Sequence, residues 1–328
     1  MKFSKLFSGG DSKLTRLLYA SDFHGSEEVF RKFISAAFQY QANTLIVGGD
    51  VTGKAMIPVV YQGDGKYVGY ILGRREETST PDELEKLKRT ISNVGFYPIV
   101  VDKEEAEELE SDPDKLNKRF EVEMCQRVRE WMILAEQQLV PKGIDLYFMP
   151  GNDDLYSIDA VIDEFEHVHN PDMQKFIIQD IYELYGNSNA NMTPWACARD
   201  IEEDELKIKL DELKELIENP ERAIVVLHTP PYESGLDSCP DLDENLKIIT
   251  QGGQVVMKAA GSPSVKAFIE EVQPMLALHG HIHESPGHIR IGRTLAINAG
   301  SEYAEGILKA AIINLEGGKV KGHLLISG

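Results

Sequence analysis

Apolar runs that read as β-strands recur from one end of this chain to the other, and five of them stop on the same narrow set of residue types. Thr15 to Ser21 ends at Asp22-Phe23-His24, and Thr44 to Val47 ends at Gly48-Gly49-Asp50. Ile144 to Met149 ends at Pro150-Gly151-Asn152-Asp153-Asp154, Ala223 to Leu227 ends at His228, and Met275 to Leu278 leads into Gly280-His281-Ile282-His283. An Asp-x-His or a Gly-Asp arises by chance in many proteins, and a lone histidine at a strand end is usually a surface or hydrogen-bonded residue. In this order, at successive strand ends, the set supplies carboxylates, imidazoles and one amide from separate strands, which is how a fold converges oxygen and nitrogen ligands on metal ions.

The intervening segments fix the fold class. Ser26 can cap a helix that carries Glu27 and Glu28 at its positive end and Val29, Phe30, Phe33, Ile34, Ala37 and Phe38 on one face. The result is a strand, helix, strand unit with acidic residues at both strand tips, where the active site of an α/β protein is expected. A long amphipathic helix starting near Asp114, another through Leu206 to Ile217 and a third opened by Ser262-Pro263 continue the alternation. The C-terminal part reads as a strand meander: His288 to Ile291, Thr294 to Asn298, Ile307 to Leu315 and Val320 to Ile326. Two sheets packed together with helices outside follow from this pattern, as one domain spanning residues 1–328.

Two stretches depart from the alternation. Residues 55–110 look like an insertion, with a hairpin about Gly63-Asp64-Gly65, a capping box at Thr80-Pro81-Asp82-Glu83, an apolar run at Tyr97 to Val101 and an acidic linker. As a cap it would offer Tyr61, Lys66, Tyr67, Arg74 or Arg75 to a ligand; as an interaction element it would join two copies into a homo-oligomer. Leu155 to about Asp200 reads as irregular and ends in a loop, Asn187 to Arg199, rich in Asn, Pro and Trp.

Composition narrows the partners. The chain has 328 residues with 54 acidic against 34 basic, a net charge of −20, and 42% of it is hydrophobic, enough for a sizeable core. That balance disfavours a broad surface for polymeric nucleic acid or anionic membranes, because phosphate backbones need clustered Lys and Arg. A small phosphate ester remains open, since bound divalent ions reverse the local sign. Met1 to Gly10 has no apolar core of a secretory signal, no segment approaches 18 consecutive apolar residues, and Cys125, Cys197 and Cys239 form no Cys-x-x-Cys pair. A cytoplasmic protein with free thiols is expected.

In an extended segment, alternation would put His281 and His283 on one side, and Gly280 would let the backbone approach closely. For His167, His169, His279, His288 and His323 no spacing ties the ring to the cluster.

The residues and their order resemble the calcineurin-like metallophosphoesterase superfamily across most of the chain: Asp22-x-His24, Gly49-Asp50, Gly151-Asn152, His228 and Gly280-His281-x-His283. Leu227 to Pro231 and the run Asn298 to Ser301 look closest to small prokaryotic members. The resemblance implies a four-layer α/β/β/α sandwich. It implies that Asp22, His24, Asp50 and His283 hold one divalent metal and Asp50, Asn152, His228 and His281 the other, with Mn, Fe or Zn as the expected ions. It also implies hydrolysis of a phosphate ester, a small phosphodiester or nucleotide, by a hydroxide that bridges the two cations.

One departure concerns the proton. Such families usually carry histidine after Gly-Asn, thought to protonate the leaving group, and this chain has Asp153, a poor acid beside two cations. Asp153 is therefore either a catalytic group of unusual type or a support for the Asn152 loop. Arg199, on a connection near the Asn152 strand, is the candidate for a substrate phosphate contact. Two alternatives stand beside the hydrolase: a non-catalytic metal-binding interaction protein on the same fold, and a metal-dependent nuclease, which the lack of a basic aromatic groove disfavours.

Overall fold

A computed structural model describes residues 14–328; the segment Met1 to Gly10 lies outside the described residues. The first sheet has six strands in the order Lys319–Ser327, Lys309–Glu316, Thr15–Ala20, Thr44–Gly48, Asp145–Met149 and Val168–His169. Its last four strands run parallel, and the C-terminal hairpin is added antiparallel to Thr15–Ala20. The second sheet also has six, in the order Gly287–Ile291, Thr294–Asn298, Leu276–His279, Ala223–Leu227, Tyr182–Asn187 and Phe176–Ile178.

Period-two alternation explains why these strands read as unbroken apolar runs: both faces are covered. Leu17, Tyr19, Ile46, Tyr147 and Met149 of the first sheet meet Leu184, Ile224, Val226, Leu276 and Ile297 of the second in one core between the sheets. Their neighbours Leu18, Leu45, Val47 and Phe148 face outward onto Phe30 and Phe33 of helix Glu27–Gln39 and Val128 and Trp131 of helix Pro113–Leu139. On the far side Tyr185, Val225 and Ala277 pack under Leu206 and Leu210 of helix Glu203–Leu216 and Phe268 and Ile269 of helix Pro263–Val272. The architecture is a four-layer α/β/β/α sandwich of two mixed sheets.

Ser26 caps the first helix through Val29 N, and the Thr80 and Glu83 capping box forms. Residues 56–111 form a separate four-stranded sheet, ordered Arg74–Thr78, Lys66–Ile71, Met56–Gly63 and Tyr97–Val101, with two helices. Three features differ from the sequence expectation. The acidic linker is the helix Lys103–Ser111, started by Asp102 accepting from Glu105 N. The supposed irregular stretch contains Tyr182–Asn187, a fully buried strand of the second sheet whose Glu183 accepts hydrogen bonds from the Tyr185 hydroxyl and Asn219 N. The C-terminal strands do not make one meander: two belong to the second sheet and two to the first. Among the described residues no helix is long and apolar enough to cross a membrane.

Candidate metal centre

The parallel strands of the two sheets deliver their carboxyl ends to one place. Asp22, His24, Asp50 and His281 all adopt left-handed backbone conformations, with φ of 60°, 42°, 50° and 65°. Such strain in non-glycine residues is held only where the surroundings impose it, and it gathers at functional sites. His24 N and Gly25 N donate to Asp50 O and Val51 O, so the first two strand-end loops brace each other.

Three overlapping groups of donor atoms result: one is His24, Asp50 and Asp153, and the other two hold residues read from the sequence as metal ligands. Asp22, His24 and His283 form one, with His24 Nε2 at 3.1 Å from His283 Nε2 and His283 Nε2 at 3.5 Å from Asp22 Oδ1. Asp50, His228 and His281 form the other. His228 Nε2 lies 3.3 Å from Asp50 Oδ1 and 2.9 Å from Asn152 Oδ1, and His281 Nδ1 lies 3.0 Å from the same amide oxygen. Asp50 is next to both, since its Oδ2 is 3.7 Å from His24 Nε2. All seven residues singled out in the sequence therefore converge. His281 and His283 do so by a different route from the one expected: the left-handed turn at His281 replaces extended alternation and sends the two rings to different groups. Gly280 is required there, because a Cβ would fall 2.4 Å from Asp22 Oδ2.

The donor set fits divalent cations. Asp22 and His24 are fully buried and His24 Nδ1 has no hydrogen-bond partner. Burial pushes Asp50 up to about 6 against the pull of His228. Although burial works against it, His228 is pushed up to about 10 by Asp50 together with Asp22 and the Gly48 carbonyl, whereas burial and the charge of His228 press His281 down to about 3. Ligation needs anionic carboxylates and neutral imidazoles; His281 already meets that, and cations at this spot would favour ionised Asp50 and neutral His228 as well. His228 Nδ1 donates to Gly48 O at 2.8 Å, which leaves Nε2 as the ligating atom.

The supports are equally specific. Asp154, buried, accepts from Val51 N, Thr52 N, Thr52 Oγ1 and Gly151 N and so ties the Asp50 loop to the Asn152 loop. Asn298 donates to Ile282 O, and Ser301 Oγ donates to Asp22 O, so the Asn-x-Gly-Ser run braces the histidine loop. Asp153 Oδ2 lies 2.8 Å from Lys54 Nζ, and its Oδ1 accepts from Cys197 Sγ at 2.8 Å. Although burial works against it, the charges of His24 and Lys54 hold Asp153 down at about 2, so it is ionised at neutral pH.

Arg199 is not where the sequence reading put it. Its side chain is 1% exposed, and the guanidinium donates to Asp154 O, Leu155 O and Asp159 Oδ1 while lying over the Tyr156 ring. Nothing of it is left for a ligand, because the loop folds it under the site. Lys54, four residues beyond Asp50, is the cation beside Asp153 at the donor groups, and Lys258 also lines the cleft; the nearness of Lys54 to Asp50 was the only signal for it. Asp154 and Asp200 were also missed, though both adjoin residues already noted.

The groups open into a cleft of about 1200 Å³ that Lys54, Cys197, Trp195, Tyr232 and Tyr303 help to line. Among the described residues no side chain between 55 and 110 lines it.

No protein-family model matches the chain, and a search of curated proteins finds no match. Solved structures do resemble it. The protein TT1561 of Thermus thermophilus is 14% identical with a TM-score of 0.53, covering 96% of this chain and 99% of that one. A second crystal structure gives the same TM-score and coverage at 16% identity. A dimetal phosphatase from Danio rerio is 8% identical over 95% of this chain and 98% of that one, at a TM-score of 0.43. At such identities the two likenesses above 0.5 establish the architecture alone, and the chemistry rests on this chain's own residues.

Proposed function

We propose that this chain is a metal-dependent phosphoesterase of the calcineurin-like type, acting on a small phosphodiester or nucleotide. The observation that carries the reading is the pair of donor groups, Asp22, His24 and His283 beside Asp50, His228 and His281, with Asp50 in reach of both. Asp22, His24, Asp50 and His283 would hold one divalent cation, and Asp50, Asn152, His228 and His281 the other. Mixed oxygen and imidazole donors suit Mn, Fe or Zn. The chemistry supplied by two such cations is activation of water near neutral pH and neutralisation of charge on the phosphoryl oxygens.

The chain's own groups would do the rest. Asp200 accepts from Asn152 Nδ2 and so aims the amide oxygen inward. The Lys54 ammonium, half exposed in the cleft, would meet a phosphoryl oxygen, and Asp153 holds it there. Asp153, being ionised, supports Lys54 and gives no proton; the leaving group would take its proton from water. The 55–110 element, standing clear of the cleft, suits contact with a second copy better than covering a substrate. The free cysteines Cys125, Cys197 and Cys239 agree with a cytoplasmic location.

The test is metal analysis of the purified protein after supplementation with Mn, Fe or Zn, followed by a chromogenic screen of phosphomonoesters against phosphodiesters. Up to two ions per chain and turnover of at least one ester class are expected. Protein that retains no metal overturns the reading.

A further inference from the structure

Beyond the donor groups the cleft changes character. Its lining there includes Met192, Trp195, Tyr232, Leu242, Leu246 and Ile248, with Asn191, Thr193 and Lys258 among them. Trp195 is the most exposed of these, at 62%. An exposed indole at the rim of a cleft is a stacking surface when it is held still, and a solvated accident when it is not.

It is held still. Asp200 Oδ2 accepts from Thr193 N at 3.1 Å, from Thr193 Oγ1, and from Cys197 N at 2.8 Å, gathering residues 193–197 into one turn. Trp195 N donates to Thr193 Oγ1, and Ala196 takes a left-handed conformation with φ of 48°. The other oxygen of the same carboxylate accepts from Asn152 Nδ2 at 2.8 Å, and Cys197 Sγ donates to Asp153 Oδ1. One carboxylate thus fixes both the amide that faces His228 and His281 and the turn that carries the indole.

We propose that Trp195 is the stacking platform for a flat aromatic group carried by the substrate, so that the site selects phosphate esters of alcohols that carry an aromatic or heteroaromatic ring, nucleosides included, over plain alkyl esters. The proposal rests on the phosphoesterase reading for the polar half of the ligand and on the pinned turn for the apolar half. Alkyl chains would use the wall's area but not the face of the ring. Stacking on an aromatic side chain corresponds to a gain in affinity of roughly ten-fold.

The experiment uses the full chain supplemented with Mn²⁺ and three phosphonates whose carbon–phosphorus bond is not an ester: phenyl, methyl and octyl. The chain has two tryptophans. Trp131 is 1% exposed, stacked on Phe30 with its Nε1 donating to Glu27, so acrylamide quenching of fluorescence reports Trp195. Phenylphosphonate is expected to shield Trp195 and, by titration calorimetry, to bind about ten-fold more tightly than methylphosphonate, and Trp195→Ala to collapse that calorimetric ratio to about one. Equal shielding by methylphosphonate, or octylphosphonate matching phenylphosphonate, overturns the platform. A chromogenic diester assay on the same protein keeps the two readings apart. Shielding without turnover sinks the hydrolase and leaves the platform, and turnover without shielding does the reverse.

Discussion

The side-chain amide of Asn152 donates to Asp200 Oδ1 at 2.8 Å, and this one bond sets which atom of the amide points at His228 and His281. Without that acceptor the amide would be free to turn its NH₂ group toward the two imidazoles. Asp200→Ala should therefore lower the affinity for the ion at this end of the centre by roughly 10 to 100-fold, the usual cost of losing an outer partner of a ligand. Titration calorimetry with Mn²⁺ measures it. An affinity within two-fold of the parent's would show that the amide needs no orienter.

How much of this was legible depends on what each residue's role requires locally. Asp22, His24, Asp50, Asn152, His228, His281 and His283 were readable because each closes a buried apolar run, and a strand's end is visible in sequence. Asp200 and Asp154 were not. Their function lies in which distant backbone atoms and side chains they reach, across 48 residues from Asp200 to Asn152 and 103 from Asp154 to Val51. The strand Tyr182–Asn187 was hidden because Glu183 and Asn187 break its apolar pattern, and only the tertiary partners of Glu183 make its burial tolerable. Arg199 misled for the same reason: an arginine near a phosphate-like site reads as a ligand contact until its carbonyl partners are seen.

Asp50 is adjacent to both donor groups, and this makes the effect of its substitution depend on metal. In the chelated protein Asp50→Asn removes the carboxylate that pairs with buried His228, so its midpoint of thermal unfolding should fall at neutral pH. With Mn²⁺ in excess the parent should gain stability as RT ln(1 + [L]/Kd), about 2.7 kcal/mol at a hundred-fold excess over Kd, and the variant much less. Calorimetric scans with and without chelator check this. A variant stabilised by Mn²⁺ as strongly as the parent would remove Asp50 from the ligand set.

Lys54 and Asp153 form one unit at 2.8 Å, so their substitutions should not add. Lys54→Met should weaken binding of phenylphosphonate about ten-fold, the scale of a lost hydrogen bond to a charged group. Asp153→Ala should do nearly the same by releasing the ammonium, and the double variant should be no worse than either. Lys54→Arg should recover part of the affinity. Strict additivity in the cycle would mean that the two residues act separately.

The 55–110 element touches the centre through its backbone at one point. Gly95, with φ of +91°, sits where a Cβ would lie 2.2 Å from His24 O, and Gly53 N donates to the Tyr97 hydroxyl alongside. Gly95→Ala meets both a forbidden conformation and a clash with the backbone of a metal-ligand candidate. A loss of about 1–3 kcal/mol in urea unfolding is expected, together with weaker Mn²⁺ binding as His24 shifts. Full stability in the variant would show that the element docks loosely and leaves His24 alone.

Arg199 separates a structural cation from a ligand contact. Its planar fork serves Asp154 O, Leu155 O and Asp159 together, a geometry one ammonium cannot reproduce. Arg199→Lys would leave buried carbonyls without donors and should cost about 3 kcal/mol in chemical unfolding. Because the guanidinium is folded beneath the Asn152 loop and absent from the cleft wall, the folded variant should bind phenylphosphonate with the parent's affinity. The two readouts move independently, so the outcome is decisive. Undiminished stability with ten-fold weaker phosphonate binding would return Arg199 to the substrate, and with it the reading first suggested by its place in the chain.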